Sequence, residues 1–157
     1  MASSREERLP SAQEYVEAAS VITRFQKELR GRISVQSIPF EQHCFDPEQG
    51  RPSSRAFYRS RSCYIGYVLT VVERDGTVWG CVPEATHGEP LGNIHQTSFR
   101  EIWMNSEAFQ RLRDTDGYQG KCGRCEFRKV CGGCRARAYE ISGDYMAEEP
   151  YCIYEPI

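Results

Sequence analysis

Apolar residues near the start of the chain recur every three or four positions, which predicts an amphipathic helix. Its apolar face should contain Tyr15, Ala18, Ile22, Phe25 and Leu29. Ser11 and Glu14 have the spacing of a capping box, so the helix should begin at Ser11. Gly31 can end it in a left-handed conformation. A short strand should follow, with apolar positions at Ile33, Val35 and Ile38.

The pattern then becomes typical of a β-hairpin. Residues 64–74 and 77–81 are rich in β-forming residues and flank Asp75-Gly76, a strong turn signal. Residues 82–97 should form an irregular connection, because this segment contains Gly88, Pro90 and Gly92. Trp79, on the hairpin, is expected to pack into the core.

Two further helices are predicted downstream. Ser98 and Glu101 form a second capping-box pattern, and the apolar face of this helix should contain Ile102, Trp103, Phe109 and Leu112. Asn105-Ser106 can divide it in two. Residues 114–134 should form a cysteine-rich loop. A last short helix is expected over 133–141, ended by Gly143.

These elements give an α+β fold with four segments. We predict a disordered leader at 1–10, a helix–strand unit at 11–40, a loop at 41–62 and a cysteine-rich domain at 63–157. The loop carries four arginines, which could bind substrate carboxylates, although a solvated loop is the simpler interpretation. The arginines are Arg51, Arg55, Arg59 and Arg61.

Composition limits the possible functions. The 157 residues carry a formal net charge of −2, which argues against a dedicated nucleic-acid binder. No apolar run approaches the roughly 18 to 20 residues needed to span a bilayer, and MASSREERLP has no apolar signal segment. The sequence therefore favours a cytoplasmic protein, in which eight cysteines are expected to be reduced and available for metal.

The cysteines are concentrated in the segment KCGRCEFRKVCGGC, which contains two CxxC pairs. Such turns point two thiolates at one metal, and glycines at 123, 132 and 133 let the backbone wrap closely. Basic residues should lower the pKa of the thiols; they are Lys121, Arg124, Arg128, Lys129, Arg135 and Arg137. Spacing alone leaves zinc and iron–sulfur clusters both open. A thioredoxin-type pair is disfavoured because no βαβ unit surrounds it.

The full cysteine pattern resembles a known family. The two CxxC pairs are preceded by Cys63, Gly76 and Cys81 and followed by Cys152. This order resembles that of the SPASM domain, which is the auxiliary-cluster domain of many radical-SAM enzymes. DGTVWGC, LGNI and CGGCRARAYEISGDYMAEEPYC support the resemblance, the last being similar to the subgroup that modifies haem-type tetrapyrroles and related cofactors. The helix–strand unit resembles the end of a radical-SAM barrel.

The resemblance implies two [4Fe–4S] clusters with interleaved ligands. One would be bound by Cys63, Cys81 and Cys134. The other would be bound by Cys122, Cys125, Cys131 and Cys152. Cys44 is a candidate fourth ligand of the first cluster, but its separation from Cys63 is long for the family. His43 could substitute for it, and His87 and His95 are expected to be ordinary loop residues.

One family feature is missing from these residues. No Cys-x3-Cys-x2-Cys motif, which binds the cluster that cleaves S-adenosylmethionine, occurs in the sequence. We therefore expect no catalytic residues here and a separate radical-SAM barrel protein as partner, which would bind S-adenosylmethionine. The substrate would be a peptide or a tetrapyrrole-like cofactor.

Two other interpretations stay open at this point. The cysteines could hold Zn2+ in a structural module that binds other proteins, or the chain could be a truncated remnant without function. No catalytic triad, phosphate loop or paired carboxylates placed for acid–base work is evident. Glu148 and Glu149 are adjacent and are expected to be solvated.

Overall fold

The computed structural model describes residues 9–33, 63–81 and 88–157. Most of the predicted leader, the strand at 33–38 beyond Ile33, the loop at 41–62, and Cys44, His43 and His87 lie outside the described residues. Those predictions stay predictions, as do the proposed segment boundaries.

Helix α1 spans Ala12–Glu28 and begins with the predicted capping box. The Ser11 hydroxyl accepts from the Glu14 main-chain N–H, and the Glu14 carboxylate accepts from that of Ser11. The predicted apolar face was partly wrong: Ala18 is exposed and Phe25 is 44% exposed. Val16 and Ala19 are buried instead. The buried face is therefore rotated around the helix axis from the predicted face, toward the side that carries Tyr15.

A small antiparallel sheet forms the centre of the domain. Its strands are β1 (Val71–Val72), β2 (Thr77–Trp79) and β3 (Gly92–Asn93), in the order β1-β2-β3. The predicted turn joins β1 to β2, with Gly76 at φ +81° and Asp75 accepting from the Thr77 N–H. The hairpin is shorter than predicted, and β3 arises from a segment expected to be irregular.

Helices pack on this sheet and complete an α+β domain. Their bounds are α2 (Phe99–Asn105), α3 (Glu107–Arg113), a 3-10 helix (Thr115–Gly117), α4 (Gly120–Arg124) and α5 (Arg135–Ser142). Ser106 separates α2 from α3 as predicted. Ser98 caps α2 by accepting from the Glu101 N–H, but the Glu101 carboxylate accepts from the Asn105 side chain, so only half of the predicted capping box forms. Gly143 ends α5 at φ +75°. The prediction of a loop throughout 114–134 was wrong, since two short helical turns form there.

The core lies between the sheet and α2, α3 and α5. Val78 and Phe109 are fully buried at its centre, and Trp103 packs against it as expected. Cys63 and Cys134 belong to the same core. Burial of these apolar groups supplies the main stabilisation of so small a domain. Among the described helices, none is both long enough and apolar enough to cross a membrane.

Candidate metal centre

Short helices and turns position the two CxxC pairs. Cys122 is buried in α4, and Cys125 follows directly as the residue that ends this helix. Cys134 precedes α5 as its N-cap. Turns over residues 126–130 connect them. Each thiol is therefore fixed by a helix end or a tight turn rather than carried on an extended loop.

Glycine is required where these turns pass close to other groups. A Cβ at Gly123 would collide with the main-chain carbonyl of Tyr118. Gly133 has φ +65°, and a Cβ there would lie 2.7 Å from the Glu149 Cβ and 3.4 Å from the Cys122 sulfur. The close wrapping expected around the thiols is present, because only a residue without a side chain fits at these positions.

The thiols on α4 and at the C-terminal end are electrostatic neighbours. Burial raises the pKa of Cys122, and negative charge on Cys131 raises it further. The pKa of Cys125 is likewise raised by burial and by charge on Cys131 and Cys122. Burial raises the pKa of Cys152 to about 12, with Cys131 and Cys122 again adding to the shift. These four thiols, which we call the second thiol group, are the four expected to share one cluster.

A different thiol is the neighbour of Cys134. Burial raises the pKa of Cys134 to about 12, and charge on Cys63 contributes in the same direction. Both residues lie in the main core, against which the half-buried Cys81 packs. We call Cys63, Cys81 and Cys134 the first thiol group. Ligation of a cluster by either group stays a prediction.

Basic residues do lower the pKa of thiols, with Arg135 acting on Cys122, Arg137 on Cys134 and Lys121 on Cys152, but burial outweighs them and each pKa is raised. Desolvation is the largest influence on the pKa of Cys122, Cys125, Cys134 and Cys152, and it opposes ionisation. Several of the cations are also engaged elsewhere. Arg128 pairs with Asp116 at 3.1 Å, and Lys121 donates to the Cys152 carbonyl at 2.7 Å.

Arg135 is a cation that contacts a thiol directly. It is 1% exposed, and one guanidinium nitrogen lies 3.5 Å from the Cys122 sulfur. The other terminal nitrogen donates to the carbonyls of Tyr145 and Ala147, and the guanidinium covers the Tyr118 ring. These contacts hold a positive charge in a fixed position beside Cys122.

Glu149 is a site residue that sequence reasoning missed. It was expected to be solvated, but it is 3% exposed. Its carboxylate accepts from the Cys134 N–H at 2.6 Å and lies 3.1 Å from Nε of Arg137. Its own N–H donates to the Cys122 sulfur at 3.3 Å. Nothing in the pair Glu148-Glu149 distinguishes the buried member, because the chain segments that cover it are distant in sequence.

Several buried donors in the described part of the domain have no hydrogen-bond partner. Within the described residues, Trp79 Nε1, Arg135 Nε and the Tyr145 hydroxyl are buried without a hydrogen-bond partner. Trp79 precedes Cys81 by two positions, and Tyr145 shares the core of Cys63 and Cys134. Buried donors normally find acceptors, and the sulfur atoms of a cluster and its thiolates would be suitable ones. The surroundings of the thiols thus fit an iron–sulfur cluster.

The thiols are nevertheless not gathered into a ready-made ion site. Across residues 9–33, 63–81 and 88–157, no group of three or more His, Cys, Asp or Glu side chains forms a site for a metal ion. The individual ligand assignments therefore stay predictions from the sequence. His95 is an exposed residue of the loop after β3, as expected.

Comparison with known proteins identifies the class of domain. Residues 63–126 match the family model of SPASM, an iron–sulfur cluster-binding domain. The match includes members of both thiol groups, Cys63, Cys81, Cys122 and Cys125. The predicted resemblance to the SPASM domain, and the α+β fold expected from it, are confirmed.

Particular relatives carry this domain in radical-SAM enzymes. The chain is 63% identical over 99 residues to the AdoMet-dependent heme synthase of Methanosarcina barkeri, covering 62% of this chain and 27% of that protein. It is 62% identical over 97 residues to the same enzyme of Nitratidesulfovibrio vulgaris, covering 62% and 26%. It is 26% identical over 153 residues to the PqqA peptide cyclase of Bradyrhizobium diazoefficiens, covering 95% and 37%. The chain spans about a quarter of the length of the heme synthases that it matches.

Proposed function

We propose that this chain binds two [4Fe–4S] clusters and serves as the auxiliary iron–sulfur domain of a radical-SAM system that matures a cofactor or peptide. The observation that carries the proposal is the match of residues 63–126 to an iron–sulfur domain family. It is supported by two groups of cysteines, one around the buried Cys63 and Cys134 and one around the buried Cys122. Bound there, the clusters would supply one-electron transfer.

The two thiol groups are joined by protein contacts that would hold both clusters at a fixed separation. Glu149 contacts Cys122 through its main-chain N–H and Cys134 through its carboxylate. A shift of either cluster would therefore disturb the other. Because a site of this kind is seldom formed in an unfolded chain, cluster binding should also stabilise the fold.

The relatives favour a tetrapyrrole substrate over a peptide. The relatives at 63% and 62% identity are named heme synthases, whereas the peptide cyclase is 26% identical. The radical-initiating cluster and its S-adenosylmethionine would be bound by a radical-SAM barrel outside these residues, since the required cysteine motif does not occur in this sequence. This chain would then contribute electron transfer or substrate binding.

The test is the metal content of protein purified and reconstituted without oxygen. About eight irons and eight acid-labile sulfides per chain, with the visible absorption of iron–sulfur clusters, are expected for two four-iron clusters. One or two zinc ions without sulfide or colour would instead establish a zinc-binding interaction module. Protein that takes up no metal and never folds would contradict both functions.

The partner can be tested with the reconstituted protein. A radical-SAM barrel protein should co-purify with it under anaerobic conditions and should depend on it for conversion of a tetrapyrrole substrate. The PqqA peptide provides the matched alternative substrate. Conversion of the peptide but not of the tetrapyrrole would contradict the substrate assignment while leaving the iron–sulfur function intact.

A further inference from the structure

Arg135 is a buried cation whose charge faces one thiol. It is 1% exposed, and its terminal nitrogens contact two main-chain carbonyls and the Cys122 sulfur. In the described part of the chain, no carboxylate lies within ion-pair distance of it. A buried charge normally has a partner of opposite sign. The available anion is the thiolate that Cys122 would present to a bound metal.

The neighbouring Arg137, unlike Arg135, is paired with a carboxylate. Its Nε lies 3.1 Å from Glu149 Oε1, and both side chains are largely buried. Its charge therefore acts on Cys134 together with a compensating negative charge. The first thiol group faces a neutralised ion pair, whereas the second thiol group faces an unneutralised cation.

The remaining charges near the second thiol group are closer to solvent. Lys121 acts on Cys152 but lies 3.6 Å from Glu155, which is 72% exposed on its side chain. Glu126 acts on Cys125, and it accepts a hydrogen bond from the Tyr154 hydroxyl. Solvent and salt screen exposed charges much more strongly than buried ones. Arg135 should thus dominate the local field at this group.

We propose that Arg135 raises the reduction potential of the cluster held by the second thiol group. It would do so through the positive charge of the guanidinium that contacts Cys122. The inference rests on the proposed iron–sulfur function. A one-electron donor, here the chemical reductant of the redox titration, would add one electron and one negative charge to the cluster, with no bond made or broken. A fixed cation beside a ligand sulfur stabilises that charge, and its short distance in a desolvated setting makes the effect large.

The test compares variants of the whole chain after anaerobic reconstitution. Arg135→Met removes the charge, and Arg135→Lys keeps it. Arg124→Met is the matched control, because Arg124 is adjacent to Cys125 but its side chain is 62% exposed. Iron and sulfide are counted first, and the midpoint potential of each cluster is then measured by redox titration followed by electron paramagnetic resonance.

One cluster of Arg135→Met should have a lower midpoint potential than in the original protein. The potential of the other cluster should change little, and Arg124→Met should leave both nearly unchanged. Arg135→Lys should recover part of the shift. Clusters present in full amount with unchanged potentials in Arg135→Met would overturn this inference alone. Absence of iron and sulfide from the original protein would overturn the proposed function, and the inference with it.

A second measurement avoids mutation, in case Arg135→Met does not fold. The protein is labelled with 15N in the arginine side chains, and hyperfine coupling between the reduced clusters and guanidinium nitrogen is measured by pulsed electron paramagnetic resonance. Coupling to one cluster that persists in Arg124→Met is expected from the Arg135 contact. No coupling to either reduced cluster would overturn the inference.

Discussion

The carboxylate of Glu149 accepts a hydrogen bond of 2.6 Å from the main-chain N–H of Cys134. The same residue donates its own N–H to the sulfur of Cys122. Cys134 and Cys122 belong to the two different thiol groups, so one buried acid connects them. Arg137 offsets its charge from the other side. This connection explains why an acidic side chain is tolerated beside thiols that must ionise to bind metal.

Replacement of Glu149 by Ala should strongly destabilise the domain. The variant leaves the buried Arg137 without its carboxylate, and loss of one partner of a buried ion pair costs about 3–5 kcal/mol. Urea unfolding of reconstituted protein under anaerobic conditions measures the change. Glu148→Ala is the control, because its exposed carboxylate accepts one main-chain hydrogen bond from Lys121 and its loss should cost about 1 kcal/mol. Equal effects of the two substitutions would contradict the role given to Glu149.

Replacement of Gly133 by Ala should reduce both stability and cluster content. A left-handed conformation costs a residue with a side chain about 1–2 kcal/mol, and the added methyl would lie 2.7 Å from the Glu149 Cβ. Overpacking of this kind costs a further 1–3 kcal/mol or so. Gly143→Ala isolates the first effect, because Gly143 has φ +75° with no atom within 4 Å of an added Cβ. Gly133→Ala should lose iron, and Gly143→Ala should retain it; similar iron contents would argue against close packing at the thiols.

Replacement of Cys131 by Ala should remove about half of the iron and sulfide, as expected when one of two four-iron clusters is lost. Cys131 acts electrostatically on Cys122, Cys125 and Cys152, so the remaining cluster should be that of the first thiol group. Cys63→Ala should remove the other half. Metal analysis and the electron paramagnetic resonance signal of each variant distinguish the two. Loss of all iron from both variants would show that neither cluster forms without the other.

Replacement of Cys44 by Ala should leave the iron content nearly unchanged. The reason lies in the sequence, because Cys44 is farther from Cys63 than the family pattern expects. The measurement is iron and sulfide per chain beside the Cys63→Ala variant. If Cys44→Ala instead lost as much iron as Cys63→Ala, Cys44 would be established as the fourth ligand of the first cluster.

Replacement of Tyr15 by Ala should loosen α1. The Tyr15 ring stacks on Tyr151 at 4.8 Å between centroids, and the Arg137 guanidinium lies 4.8 Å from the Tyr15 ring. Stacking of this kind contributes about 1 kcal/mol beyond the burial of area. Amide hydrogen exchange within α1 should become faster in Tyr15→Ala. Phe25→Ala is the control, since Phe25 is 44% exposed on the same helix; equal acceleration in the two variants would contradict this docking.

The local features of the fold were predictable because they depend on neighbouring residues. The Ser11–Glu14 capping box, the Asp75-Gly76 turn and the Gly143 helix end each involve contacts within a few positions. Strand β3 was not predictable, since two residues are too few to show an alternation of apolar and polar positions. They form a strand only because they pair with β2. The buried face of α1 was predicted only in part, because the residues it packs against come from the far end of the chain.

The sequence by itself determined that this chain carries the cysteine pattern of an iron–sulfur domain, since ligand type and spacing are local properties. Only the tertiary structure decided which charges act on those cysteines. It buried Glu149 between Cys122 and Cys134, and it placed Arg135 against one sulfur with no compensating carboxylate among the described residues. Burial determines the strength of an electrostatic interaction through the exclusion of water. That exclusion depends on segments distant in sequence, which no local pattern records.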